Sequence, residues 1–190
     1  MAVFSILKTF FKALHSVSGS FIDPMMSKFL ELKSNVKDFS TKMNAIFYGA
    51  FFLRLSLFVA LSLLVQYFFL IYKIESNAIN QFIFYVLGLE YVIAGMILCY
   101  GIILRLDKTT NKVLIASIVR FVVEITLIYL ILMDYGIVAA SLILLIARYV
   151  ETVTTYLYIR RQRIFNKTGL ILFVFIIPVF YFLYKIPILP

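Results

Sequence analysis

The sequence predicts an all-α fold, a polytopic membrane helical bundle of about five or six transmembrane helices, and three observations carry that prediction. Of 190 residues, 64% are hydrophobic and 14% charged, far from the roughly half-apolar, quarter-charged usage of soluble domains. Runs such as Leu55 to Tyr72, broken only by Ser56, Ser62 and Gln66, meet the length of about 18 apolar residues that crosses roughly 30 Å of hydrocarbon as a helix. No stretch alternates apolar and polar residues as a transmembrane barrel strand must.

Taken in order, residues 1–23 place Phe4, Leu7, Phe11, Leu14, Val17 and Phe21 at three- and four-residue spacing, with Lys8, Lys12, His15 and Ser20 around the rest of the helix. This is an amphipathic helix, either interfacial or cavity-lining, or else a first membrane helix. It is expected to end at Asp23-Pro24, because the residue before a proline is disfavoured in the α region. Residues 24–45 follow as a charged cytoplasmic segment with Lys28, Glu31, Lys33, Lys37, Asp38 and Lys42. Spans are then predicted near 46–72, 81–104, 113–133, 135–159 and 169–188, so that 1–190 is a single membrane domain whose bundle occupies 46–188.

Basic residues set the topology. The loops near 28–42, 105–112 and 160–167 carry four, three and four Lys or Arg, against one in 73–80 and none at the turn 134–136. The positive-inside rule places the first set in the cytoplasm and implies a multi-pass protein of the cell membrane. A spanning first helix would leave the N-terminus outside, so either that helix lies along the interface or an upstream segment restores the parity. The net charge of +9 falls in short gaps and forms no continuous face, which argues against nucleic acid and for the bilayer as partner.

Ionisable residues at membrane depth are costly and so are candidate functional groups. Here they are Arg54, Glu90, Arg120, Glu124, Arg148 and Glu151. Arg120 and Glu124 are four apart, Arg148 and Glu151 three apart, and each pair can close within its own helix. A turn at 134–136 makes the two helices an antiparallel hairpin, with Arg120 fourteen residues before Asp134 and Arg148 fourteen after it. Both arginines then lie at one depth, roughly 20 Å from the turn. The four residues could line an aqueous cavity as an anion site, since the guanidinium fork suits phosphate; alternatively they only lock the hairpin. Arg54 is placed to snorkel toward the cytoplasmic interface, while Glu90, with no partner on its own helix, suits a polar cavity or ion coupling.

The remaining features are bland. Cys99 is a packing residue, and His15 is an interfacial polar group, since no second histidine exists to build a metal site. Pro178 can kink the last span, and the sequon Asn166-Lys167-Thr168 falls on the cytoplasmic side. No nucleophile elbow, phosphate-binding glycine loop or HExxH is present, so neither an enzyme nor a cofactor is expected.

The order of features resembles the C-terminal half of the polysaccharide flippases, the lipid-linked oligosaccharide exporters of the multidrug/oligosaccharidyl-lipid/polysaccharide superfamily. The likeness lies in the amphipathic helix ending in Phe21-Ile22-Asp23-Pro24, the charged segment Met25 to Lys42, the polar stretch Leu104 to Lys112, and the turn Asp134-Tyr135-Gly136 running into small residues and then Arg160-Arg161. The resemblance implies alternating access between two bundles around a cationic cavity that handles an isoprenoid-pyrophosphate-linked oligosaccharide. Arg120 and Arg148 would contact phosphate, with Glu90, Glu124 and Glu151 tuning the cavity. Only one bundle is present, so the resemblance also implies a second bundle, or a second copy of this chain, as partner. The alternative expectation is a structural or accessory multi-pass protein without transport activity.

Overall fold

The computed structural model describes residues 2–22, 36–106 and 108–160, together with Tyr181. Every regular element among them is helical: α1 (Ala2–Ile22), α2 (Val36–Leu63), α3 (Val65–Ile71), α4 (Ala78–Leu106) and α5 (Thr110–Ile159). Four stretches are long and apolar enough to cross a membrane, Thr41–Leu63, Ala78–Arg105, Thr110–Leu132 and Tyr135–Ile159. The chain is thus an all-α, multi-pass membrane protein. The expected span at 169–188 apart from Tyr181, with Pro178, the Asp23-Pro24 stop and the sequon at Asn166, lies outside the described residues.

The α5 element is two arms. Gly136 has φ 53 and ψ −129, which no helical residue adopts, and glycine tolerates that region because it has no Cβ. In an unbroken helix Arg120 and Glu151 would be roughly 46 Å apart, yet their side chains meet at 3.5 Å. The chain therefore folds back at Gly136, and the expected hairpin is present. By contrast, the predicted span 46–72 is interrupted: Leu64 leaves helical geometry (φ −100, ψ 11) and α3 begins as a separate short helix. Neither proline nor glycine marks that break in the sequence.

Two of the helix ends share one device. Ile74 N–H donates to Phe69 C=O at 2.8 Å and Lys73 N–H to Leu70 C=O at 3.2 Å, while Thr109 N–H donates to Leu104 C=O at 2.9 Å and Lys108 N–H to Arg105 C=O at 3.0 Å. These are paired Schellman bonds that satisfy terminal carbonyls. They require left-handed backbone at Lys73 (φ 52) and Lys108 (φ 56), positions where glycine is less strained. Lys73→Gly and Lys108→Gly are each expected to raise stability by about 1 kcal/mol, seen as a later midpoint in a dodecyl sulfate unfolding titration. A fall would mean that the lysine side chains contribute more than the backbone strain costs. At the other end of this loop Asn77 Oδ1 accepts from Asn80 N–H at 2.8 Å and caps α4.

The central helix is α4, of whose apolar stretch 72% is buried, compared with 6% for the first arm of α5. That arm turns Leu114, Ile118, Phe121, Val122, Ile125 and Tyr129 outward, as a lipid-facing helix must. Between helices, lipid gives no hydrophobic drive, so close approach decides packing. Gly88 and Gly95, seven residues apart on α4, supply it: a Cβ on Gly88 would collide with the Phe58 ring, and one on Gly95 would lie 2.5 Å from Arg54 Cδ. Phe58 and Arg54 are four apart on α2, so two side chains on one face fill two glycine notches. Along the same stripe of α4, Phe11 of α1 packs on Phe84 and Tyr91, with centroids 5.4 and 5.9 Å away.

Candidate functional site

Between α1, α4 and the two arms of α5 lies a cavity of about 280 Å3. Its polar lining is Lys8, Lys12 and His15 from α1, Glu90 from α4, and Arg120 and Arg148 from α5; Phe11, Leu87, Tyr91, Ala94 and Leu144 supply the apolar wall. The three polar residues of α1 share a stripe because spacings of four and three keep them on one helix face.

The predicted charged residues meet behind and beside this cavity. Arg148 bridges two helices, its Nε donating to Glu90 Oε1 at 2.7 Å and its Nη1 to Glu151 Oε2 at 2.7 Å. Arg120 donates to Glu124 Oε1 at 2.9 Å and stands 3.5 Å from Glu151 Oε2. Ser117 Oγ donates to Glu151 Oε1 at 3.2 Å. The result is one row of alternating charge, Glu124, Arg120, Glu151, Arg148, Glu90. Both expected intrahelical pairs are present, and Glu90 finds its counterion across the helix interface. Glu151 is the most enclosed member, its side chain 8% exposed.

Arg54 departs from expectation. Instead of snorkelling to the interface it is 0% exposed, laid across Gly95 with its guanidinium 4.9 Å from the Tyr91 ring centroid. Nη1 donates to the Tyr91 carbonyl at 3.1 Å and lies 3.0 Å from His15 Nδ1. Nε and Nη2 have no hydrogen-bond partner among the described residues. The reason is steric opportunity: the notch at Gly95 admits the side chain inward, and Tyr91 offers a carbonyl and a π face that partly replace water. His15 likewise sits in the cavity wall, where an interfacial position was expected.

Lys8 and Lys12 have no ion-pair partner among the described residues, so of the four cations on the cavity lining two are unpaired, while Arg120 and Arg148 are bonded to Glu124, Glu151 and Glu90. Such a surface favours an anion with several acceptor oxygens, bound by point charges from α1 and by guanidinium forks from α5. Lys8, Lys12 and His15 were not among the residues singled out as binding groups. Their one-sided spacing on α1 was the available signal. No family model, curated protein or solved structure matches this chain.

Proposed function

We propose that this chain is a flippase-like bundle of the cytoplasmic membrane, a half-transporter that takes the phosphate-bearing head of an isoprenoid-linked oligosaccharide between α1 and the hairpin of α5. The observation that carries the reading is the cavity charge: Lys8 and Lys12 line it without an ion-pair partner among the described residues, facing Arg120 and Arg148. An anion between them would offset the two unpaired lysine charges and accept from the guanidinium edges. The likeness of the turn and loop segments to lipid-linked oligosaccharide exporters supplies the rest of the substrate.

The two arginines divide the work. Arg148 is held by two contacts of 2.7 Å and acts as framework, whereas Arg120 has its second carboxylate only at 3.5 Å. Arg120 is therefore the fork that turns most readily to a ligand. A second reading has its own support: Glu90, Glu124 and Glu151 are all paired to these arginines, as a network that merely holds helices would require.

Native mass spectrometry of the detergent-solubilised protein separates the two. With farnesyl diphosphate and farnesol offered side by side, selective diphosphate adducts are expected, weakened at least about 10-fold by Arg120→Ala, the worth of one charge-assisted contact. Equal adducts with the alcohol, or adducts indifferent to Arg120→Ala, would leave the structural reading. The same spectra report whether a second copy of the chain completes the site.

A further inference from the structure

The contact joining α1 to α2 is made by two groups of which one can only donate. A guanidinium has no acceptor atom and keeps its proton. With Arg54 Nη1 at 3.0 Å from His15 Nδ1, the lone pair must come from the imidazole, so Nδ1 is unprotonated. A neutral imidazole with a free Nδ1 carries its hydrogen on Nε2. His15 lines the cavity while Arg54 stands behind the wall, so the ring spans that wall, with its accepting nitrogen toward Arg54.

We propose that Arg54 locks His15 in the Nε2–H tautomer and thereby makes it an uncharged hydrogen-bond donor to an oxygen of a phosphoryl ligand in the cavity. The proposal rests on the anion-site reading above and adds to it a specificity-determining residue, His15, and a positioning residue, Arg54. The class of ligand follows from the placement of donors. Lys8, Lys12 and His15 approach from α1, and Arg120 from the facing hairpin, where Arg148 holds the wall. A planar carboxylate offers two oxygens in one plane, whereas a tetrahedral phosphoryl group presents three to donors on opposite walls.

The burial of Arg54 fits the same account. A fully enclosed cation with two donor nitrogens unpartnered among the described residues is expensive to keep. Methionine would fill the notch at Gly95 at lower cost but could not hold an acceptor nitrogen in place. Its positive charge, one residue behind the wall, also adds to the field that draws an anion in.

The chain has one histidine, so protein carrying ring-15N histidine gives a single pair of imidazole nitrogen signals. The expected spectrum at neutral pH is that of the Nε2–H tautomer. Farnesyl diphosphate is expected to shift the protonated nitrogen, and farnesol to leave it in place. Inorganic diphosphate shifting it equally would assign the contact to the headgroup alone, still in support. Arg54→Gln, whose amide can donate or accept, is expected to admit the Nδ1–H tautomer; Arg54→Lys, a donor only, is expected to restore the lock. His15→Phe should weaken farnesyl diphosphate binding about 10-fold, and His15→Gln should recover most of it.

A wild-type spectrum showing Nδ1–H or a doubly protonated ring overturns the proposal, and does so whether or not the variants fold. Farnesyl diphosphate that binds by mass spectrometry but leaves the ring signals unmoved overturns it while the anion-site reading stands. Absence of binding by both diphosphates overturns the anion-site reading and this proposal with it.

Discussion

The Arg148→Ala protein is expected to lose about 3–5 kcal/mol of stability, the range for removing one partner of a buried ion pair. Its guanidinium holds Glu90 and Glu151 at 2.7 Å each, and without it two carboxylates are left together in a largely enclosed site. Arg120, already paired to Glu124 and 3.5 Å from Glu151, cannot compensate both. The measurement is a dodecyl sulfate unfolding titration of the purified protein. A Glu90→Leu/Arg148→Met double variant is expected to recover most of the loss, because it removes the charges on both sides of one contact and keeps the volume. If the double variant were as unstable as the single one, the loss would lie with Glu151 or with packing and not with the Glu90 contact. Arg120→Ala is expected to cost less stability and more anion affinity, the opposite balance.

Gly95→Leu is the second large effect. A Cβ alone at this position would lie 2.5 Å from Arg54 Cδ and 2.9 Å from its Nε, and Arg54 is fully enclosed. Adding an isobutyl group forces α2 away from α4 and breaks the Arg54 contacts with His15 and the Tyr91 carbonyl together. Overpacking of a well-filled core costs about 1–3 kcal/mol, and the loss of a buried cation's remaining partners brings the expected destabilisation to the top of that range or past it. Gly95→Ala should fall between, since one methyl group can be absorbed by a shift of the arginine. Thermal unfolding checks both, and a Gly95→Leu protein as stable as wild type would mean that α2 does not dock through this notch.

The hairpin and its two pairs were legible in the sequence because each depends on local arithmetic. Arg120 with Glu124 and Arg148 with Glu151 obey helical spacing, and equal distances from the turn put the arginines at one depth. The partner of Glu90 was not legible, because it depends on how α4 is rotated against α5, and no spacing within α4 encodes that. Arg54 was misjudged for a related reason. Its position along α2 suggested escape to the interface, whereas its direction is set by the notch at Gly95 on α4, one of two glycines on that face with Gly88. Their seven-residue interval was a readable sign of close packing on one face. The break at Leu64 had no sign at all, lying in an unbroken apolar run.

How the charges are paired also decides when each is neutralised as the chain is synthesised. Each arm of the hairpin carries a cation and an anion three or four residues apart, so it can enter the bilayer already balanced. Arg54 follows its acceptor His15 by 39 residues. Glu90 takes its counterion from later in the chain, with Arg148 lying 58 residues downstream. Until the second arm arrives, the charges that can offset it are the cations already synthesised, Lys8 and Lys12 across the cavity and Arg54 beside Tyr91. The close ion pair that ties α4 to the hairpin can therefore form only once the second arm is in place.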